Sequence, residues 1–259
     1  LAALASTGLI AQEVPVALLT DEPKIPGYVC LPSRAAQERF HTAKVHGQGF
    51  HPDDALARLK SAAECLERLA IYNPEPAGFV RGAYTPDSGW CDPALFRSLS
   101  SEQVRDLPTY TNDIRSSTYR WWKVREYTTG TDTAIPAQAV FISSAFDDEF
   151  EVRKEQITTG AALGRCGTGE AFENGLLEAA ERDACIAAYL QKAEIRRIVD
   201  LPPDLRKLVQ YLERYHLEPH IFDVTADLGI PTVLVLTLDR SGIGPAVMVG
   251  SRSAWCYER

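Results

Sequence analysis

Two long segments of this chain repeat apolar residues at helical spacing, and each carries the run Glu-x-x-Glu-Arg: Glu64 to Arg68 within residues 52–70, and Glu178 to Arg182 within residues 168–191. Residues three and four apart share one face of a helix, so each run stacks two carboxylates on the same side. In the first segment Pro52 suits a first turn, and Asp53 and Asp54 suit the positive end of the helix dipole. Ala55, Leu56, Leu59, Ala63, Leu66 and Ala70 follow in the helical repeat before Asn73-Pro74 stops it. In the second segment Glu170, Asn174, Glu178, Glu181 and Cys185 make a polar stripe, and Phe172, Leu176, Ala179 and Ile186 an apolar one. Any fold must bury two such cylinders while keeping four carboxylates hydrated, paired or bound to cations.

Around these helices the pattern alternates. Val14 to Thr20 reads as a first strand, and residues 21–32 as a loop punctuated by Pro23, Pro26, Gly27 and Pro32. Gly47-Gln48-Gly49 leads into the first helix, and residues 73–118, rich in Pro, Gly, Ser and Asp, read as a loop-rich insertion. Strand character returns at Trp121 to Tyr127 and, beyond a turn at Gly130-Thr131-Asp132, at Ala134 to Ile142. A third helix is expected from about Asp204 to Tyr215, then strands at His220 to Val224 and Thr232 to Leu238. Gly242-Ile243-Gly244-Pro245 reads as a hairpin, since Pro245 spoils a dinucleotide-binding turn. The interleaving predicts a mixed α/β (α+β) class, sheets packed with helices, in a single domain over residues 1–259. The chain starts at Leu1 and its only methionine is Met248, so N- and C-terminal parts of a longer protein are expected beyond it.

Composition narrows the function. With 27 Lys and Arg against 35 Asp and Glu, a net charge of −8 argues against sequence-independent nucleic-acid binding, which needs clustered bases. The longest apolar run, Pro231 to Leu238, is too short to cross a bilayer, and no secretory signal opens the chain. A cytoplasmic protein with no membrane partner is expected. The cysteines at 30, 65, 91, 166, 185 and 256 form no Cys-x-x-Cys pair and suit buried thiols in a reducing compartment. Walker, His-Glu-x-x-His and Gly-x-Ser-x-Gly motifs are absent. His216 and His220 have ligand-like spacing, but Pro219 interrupts any shared helical face. Cys166 and Cys185 adjoin the acidic stripe, where a reactive thiol competes with the commoner small buried one.

The plain account of the acidic runs is a solvated helix face tied by i, i+4 pairs, Glu178 with Arg182 and Glu64 with Lys60 and Arg68. Each such pair contributes about 0.2–0.5 kcal/mol. Two features favour a site. The neighbours of the stripes are small (Ala62, Ala63, Gly175, Ala179, Ala180), which suits close approach of another backbone or a ligand. The second helix is also reached through a glycine-dense turn at Gly160, Gly164, Gly167 and Gly169, whose amides can meet phosphate oxygens. If the two helices meet, four carboxylates repel unless cations lie between them, and hard oxygen donors suit Mg2+.

The run Asn174-Gly175-Leu176-x-Glu178-x-x-Glu181-Arg182-Asp183-Ala184 is specific, whereas the first acidic run alone would be weak. Together with the block from Thr158, the Gly-x-Gly before the first helix, the strands around Trp122 and Pro136, and Asp223-Val224-Thr225 through Gly229-Ile230-Pro231, it resembles the YcaO family. The likeness runs in order along most of the chain. It implies a YcaO-like fold with an ATP and Mg2+ site between two Glu-rich helices. Glu64, Glu67, Glu178 and Glu181 would then bind metal, and Ser61, Arg68, Glu170, Asn174 and Arg182 would line the nucleotide site. No catalytic residue is assigned. Two departures stand out: Gly47-Gln48-Gly49 where the family often has Gly-Lys-Gly, and Gly164-Arg165-Cys166 where Gly-Asn-Thr is common.

The activity that the resemblance implies is ATP-dependent O-phosphorylation of a peptide backbone amide in a ribosomally made peptide. A Cys, Ser or Thr side chain as nucleophile gives an azoline by cyclodehydration; sulfide gives a thioamide; the peptide's own amine gives a macrocyclic amidine. A different class of reading is a non-catalytic ATP-binding scaffold that presents a peptide to a partner enzyme. Implied partners are a precursor peptide, a separate leader-peptide-binding or TfuA-like protein, and a second copy of the chain in a homodimer.

Overall fold

Short runs of alternating burial, punctuated by Pro and Gly, divide this chain into many small strands. The computed structural model describes residues 7–39, 45–72, 78–96, 100, 102–106, 114–141, 146, 149 and 168–257. Among them three sheets form. β1 (Ile10–Pro15), β2 (Gly27–Pro32) and β3 (Gly47–Phe50) lie in the order β1-β2-β3. β4 (Phe79–Ala83), β5 (Thr118–Arg125) and β6 (Asp132–Pro136) lie in the order β4-β5-β6. β7 (Arg196–Arg197), β8 (Leu217–Asp223), β9 (Thr232–Asp239) and β10 (Val247–Ser253) lie in the order β10-β9-β8-β7. The helices are α1 (Arg34–Arg39), α2 (Asp54–Tyr72), α3 (Thr168–Leu190) and α4 (Pro203–Glu213). The class is the mixed one expected, with antiparallel sheets and helices.

The chain separates into two compact units, each woven from distant segments. One comprises Leu1–Val14, Val29–Gln48 and Lys60–Thr158; the other comprises Pro15–Tyr28, Gly49–Leu59 and Thr159–Arg259.

In the first unit β5 pairs antiparallel with β4 and β6, in the register Phe79↔Trp122↔Ile135. Alternation along β5 sends Tyr119 and Trp121 into the core, where both are fully buried. Trp121 stacks on Trp90 at 4.5 Å between ring centroids, and its Nε1 donates to the Gly82 carbonyl at 2.9 Å. Trp122 points to the opposite face and meets Phe79 and Phe141 at tilted and edge-on angles. A second cluster joins Leu66, Leu69 and Tyr72 of α2 to Leu9, Ala36 and Val45.

In the second unit β8, β9 and β10 are antiparallel, α3 packs on β10 and β9, and α4 packs on β8. The β9–β10 connection is the expected hairpin: Asp239 accepts from the amides of Ser241 and Gly244, both at 2.7 Å, and Gly242 has φ +75°. The start of α2 also lies here. Asp53 caps it by accepting the Leu56 amide at 3.0 Å, as the acidic first turn predicts.

Several boundaries differ from expectation. The first strand is Ile10–Pro15, not Val14 to Thr20, and β2 occupies the end of the stretch expected as loop. Gly27-Tyr28-Val29-Cys30-Leu31-Pro32 has strand periodicity, and its prolines flank or end the strand, where a missing N–H is tolerated. Within residues 73–118, expected to be loop-rich, β4 adds a short strand that was not expected. Gly82 in that strand admits the Trp90 ring, which a Cβ would meet at 3.0 Å. The strand expected to reach Ile142 ends at Pro136 and turns into a short 3-10 helix. On α3 the packed face is Leu177, Ala180 and Ala184, while Phe172, Leu176 and Ile186 of the expected apolar stripe are 46%, 43% and 55% exposed. Small side chains on the packed face let α3 lie close to the sheet, and the larger ones are left outward. The glycine-dense turn before α3 (Gly160, Gly164 and Gly167, with Arg165 and Cys166) lies outside the described residues. Among the described residues no helix is long and apolar enough to cross a membrane.

Candidate functional site

Gly47 determines how β3 meets α2. A Cβ at this position would stand 2.0 Å from the Ser61 carbonyl oxygen and 2.3 Å from the Cys65 nitrogen, both backbone atoms of the helix. Only glycine admits that approach. Ser61 is thereby fully buried, and the next residue of β3 reaches the acidic run: the Gln48 amide donates to Glu64 Oε2 at 2.5 Å. Arg68 Nη2 donates to Glu64 Oε1 at 3.3 Å, so this carboxylate is oriented from two sides. Glu67, half-buried, follows three residues later on the same face. The i, i+4 pair of the plain account is present. The bond from a neighbouring strand is not something a merely solvated face would have.

Beneath this face Ala62 and Cys65 pack against Cys30 and Ile10. Both thiols are free and fully buried. Hydrogen bonding with Cys65 and then burial push the Cys30 thiol well up, so it stays protonated. The same bond, from Cys30, lowers the pKa of the Cys65 thiol. Both are buried core cysteines, as the sequence predicts, and Ala62 is small because a strand packs on it.

The second acidic run sits on α3 in the other unit. Arg182 donates through Nε at 3.1 Å and Nη2 at 2.6 Å to Glu178 Oε1, confirming the expected pair. Glu181 is held by β10: Ser251 Oγ donates to Oε1 at 2.7 Å, and the Ser253 amide donates to Oε2 at 3.3 Å. Glu170 and Asn174, also half-buried, precede them along α3. Burial pushes the Cys185 thiol up, with the charge of Glu181 adding and a Ser251 hydrogen bond opposing. A raised pKa makes Cys185 a poor nucleophile at neutral pH.

Ser61, Glu64, Glu67 and Arg68 therefore belong to the first unit, and Glu170, Asn174, Glu178, Glu181 and Arg182 to the second. Among the described residues no three His, Cys, Asp or Glu side chains cluster as a ready-made metal cage, and His220 pairs with Glu218 instead of His216. The donor set nonetheless fits Mg2+. Each helix offers two hard carboxylates three residues apart, and Mg2+ is typically held by one or two carboxylates plus waters and phosphate oxygens. Sequence reasoning missed the Gln48 amide and the two serines of β10. The spacing Ser251-x-Ser253, which places both on one face of a strand, was the available signal.

No curated protein matches this chain in sequence. Among solved structures, YcaO from Methanopyrus kandleri bound with AMPPCP and Mg2+ is 19% identical with a TM-score of 0.66, over 98% of this chain and 59% of that one. A heterocyclase in complex with substrate and cofactor is 16% identical with a TM-score of 0.71, over 95% of this chain and 35% of that one. The E. coli microcin synthetase McbBCD complex is 16% identical with a TM-score of 0.65, over 94% and 59%. This chain thus spans about three fifths or less of the length of each of these proteins. At these identities the likeness is one of fold. The sequence profile described as "YcaO cyclodehydratase, ATP- and Mg2+-binding" matches residues 46–254, well over half of the chain and including both acidic helices. That description agrees with the ATP and Mg2+ expected from the acidic runs, and the chain belongs to the YcaO family.

Proposed function

We propose that this protein is an ATP- and Mg2+-dependent enzyme that activates a backbone amide of a ribosomally made peptide, with azoline formation by cyclodehydration as its reaction. The observation that carries the reading is the family match across residues 46–254. It is supported by two carboxylate pairs whose members Glu64 and Glu181 are oriented by neighbouring strands. The family's description as a cyclodehydratase favours the azoline product over thioamide or amidine.

When bound, Mg-ATP supplies the phosphoryl group with which the amide oxygen departs as phosphate instead of hydroxide. The chain's own part is positioning and charge neutralisation, which dominate phosphoryl transfer in general. In this reading Glu64, Glu67, Glu178 and Glu181 would hold the metal, and Glu170 and Asn174 would contact the nucleotide; Ser61 is fully buried beside Gly47, so its part would be to pack α2 against β3. Arg68 and Arg182 each orient a neighbouring carboxylate and offset its charge. The substrate is a precursor peptide, and a separate leader-binding protein, a TfuA-like protein or a second copy of the chain is a partner in this reading.

The test is incubation of purified protein with ATP, Mg2+ and the candidate precursor peptide encoded beside its gene, followed by mass spectrometry and phosphate assay. Loss of one water per modified residue, with linear fragmentation and peptide-stimulated phosphate release, is expected. Exchange of oxygen for sulfur would replace the azoline with a thioamide, and a macrocyclic fragmentation pattern would replace it with an amidine. ATP binding without peptide-stimulated phosphate release would make the protein a scaffold and overturn the reading.

A further inference from the structure

We infer that Ser251 is a positioning residue for Glu181, a strand hydroxyl that sets the carboxylate of α3 in the orientation in which it ligates metal. The inference rests on the proposed role of Glu181.

Glu181 lies where α3 packs on the edge strand β10, one turn before Cys185. In β10 alternate residues face the same way, so Ser251 and Ser253 both turn toward the helix. They do different things there. Ser253 is buried; its hydroxyl is engaged with Thr232 Oγ1 at 2.7 Å across the β9–β10 ladder, and it reaches Glu181 only through its amide, at 3.3 Å on Oε2. Ser251 gives its side chain to the carboxylate, at 2.7 Å on Oε1, the shorter of the two bonds. A hydroxyl donating to an ionised carboxylate makes a charge-assisted bond, among the stronger classes in proteins.

The chemistry of the pair follows from the number of lone pairs. Each carboxylate oxygen accepts more than one partner, so a bond from Ser251 leaves room for a cation on the same group. Glutamate has three rotatable bonds, and fixing its carboxylate in advance removes an ordering cost from metal binding. Ligand carboxylates are commonly held by such partners, and losing one costs about 10- to 100-fold in metal affinity or activity. Glu64 receives the equivalent service from a backbone amide, that of Gln48, so the two acidic runs are oriented by different means. Of these two strand contacts, the one from Ser251 is carried by a side chain and is removed directly by substitution.

The experiment is titration of the protein with Mn2+ in the presence of a non-hydrolysable ATP analogue, read by electron paramagnetic resonance, for wild type, Ser251→Ala, Ser251→Thr and Glu181→Gln. Ser251→Ala should weaken Mn2+ binding by about tenfold or more, and Ser251→Thr, which keeps the hydroxyl, should restore most of it. Ser251 is exposed, so the melting temperature should barely move in either variant. Unchanged Mn2+ affinity in Ser251→Ala alongside a loss in Glu181→Gln would overturn the positioning role and leave the metal reading standing. Unchanged affinity in both would show that Glu181 only tethers α3 to β10, and both readings would fall. A loss in Ser251→Ala that the Thr variant does not rescue, with a lowered melting temperature, would reduce Ser251 to a structural part.

Discussion

Replacing Gly47 by alanine tests the part of the site that depends most directly on backbone geometry. The added methyl would lie 2.0 Å from the Ser61 carbonyl oxygen and 2.3 Å from the Cys65 nitrogen. Ordinary carbon contacts are about 3.5–4.0 Å, so β3 and α2 must separate by more than about 1 Å. Neither obstacle is a side chain that can swing aside. Overpacking of this kind costs about 1–3 kcal/mol. The separation also stretches the bond from the Gln48 amide to Glu64, a hydrogen bond to a charged group that contributes about 1.5–3 kcal/mol when buried and less here, where Glu64 is half-exposed. A total of about 3–4 kcal/mol is expected. For a chain of this size that lowers the melting temperature by about 10 °C, measurable by calorimetry or circular dichroism. Gly169→Ala is the control: nothing lies within 4 Å of the added methyl, and the residue sits in α3, so the change should be neutral or stabilising by at most about 1 kcal/mol. A Gly47→Ala protein melting within about 3 °C of wild type would refute the close approach, and with it the route by which Gln48 reaches Glu64.

Three further outcomes are expected. Glu178→Gln should lower peptide-stimulated phosphate release by about 100-fold or more, with little change in melting temperature because glutamine keeps the side-chain shape and an accepting oxygen for the half-exposed Arg182; wild-type turnover would return the acidic stripe to a solvated face. Trp121→Ala should cost about 3–5 kcal/mol in denaturant unfolding, since a fully buried ring stacked on Trp90 is removed; a loss under about 1 kcal/mol would contradict the packing of the β4-β5-β6 sheet. Asp92 is bonded by Arg115 at 2.6 Å, and that bond, opposed by burial, holds its carboxyl below the usual carboxylate range. A lowered folded-state pKa means stability that is present above the unfolded value near pH 4 and lost as pH falls through the folded one. Asp92→Asn should therefore flatten the acid limb of the stability curve, by no more than about 1 kcal/mol because Arg115 is 62% exposed; an unchanged acid limb would refute it.

The long helices were readable because their signals are local. The apolar repeat, the Asp53 cap and the stacked carboxylates all lie within a few residues of one another, and α2, α3 and α4 appear within a residue or two of expectation. The hairpin at Gly242 was readable for the same reason, since a positive φ is a property of one residue. The short strands were not. β2 was hidden by its flanking prolines, β4 by the glycine that admits Trp90, and β10 by its polar face, because each becomes a strand only through partners far away in sequence.

The same division holds at the site. Sequence alone named the acidic runs, their family and the i, i+4 pairing of Glu64 with Arg68 and Glu178 with Arg182, all properties of one helix face. Tertiary structure alone decided what orients the carboxylates: the Gln48 amide reaches Glu64 because Gly47 lies against the helix backbone, and Ser251 reaches Glu181 across 70 residues of chain. It also decided which side of α3 is packed, turning Leu177, Ala180 and Ala184 inward where the larger apolar residues seemed the natural choice. Periodicity fixes which residues share a face, but only a neighbouring element determines which face is covered and by what.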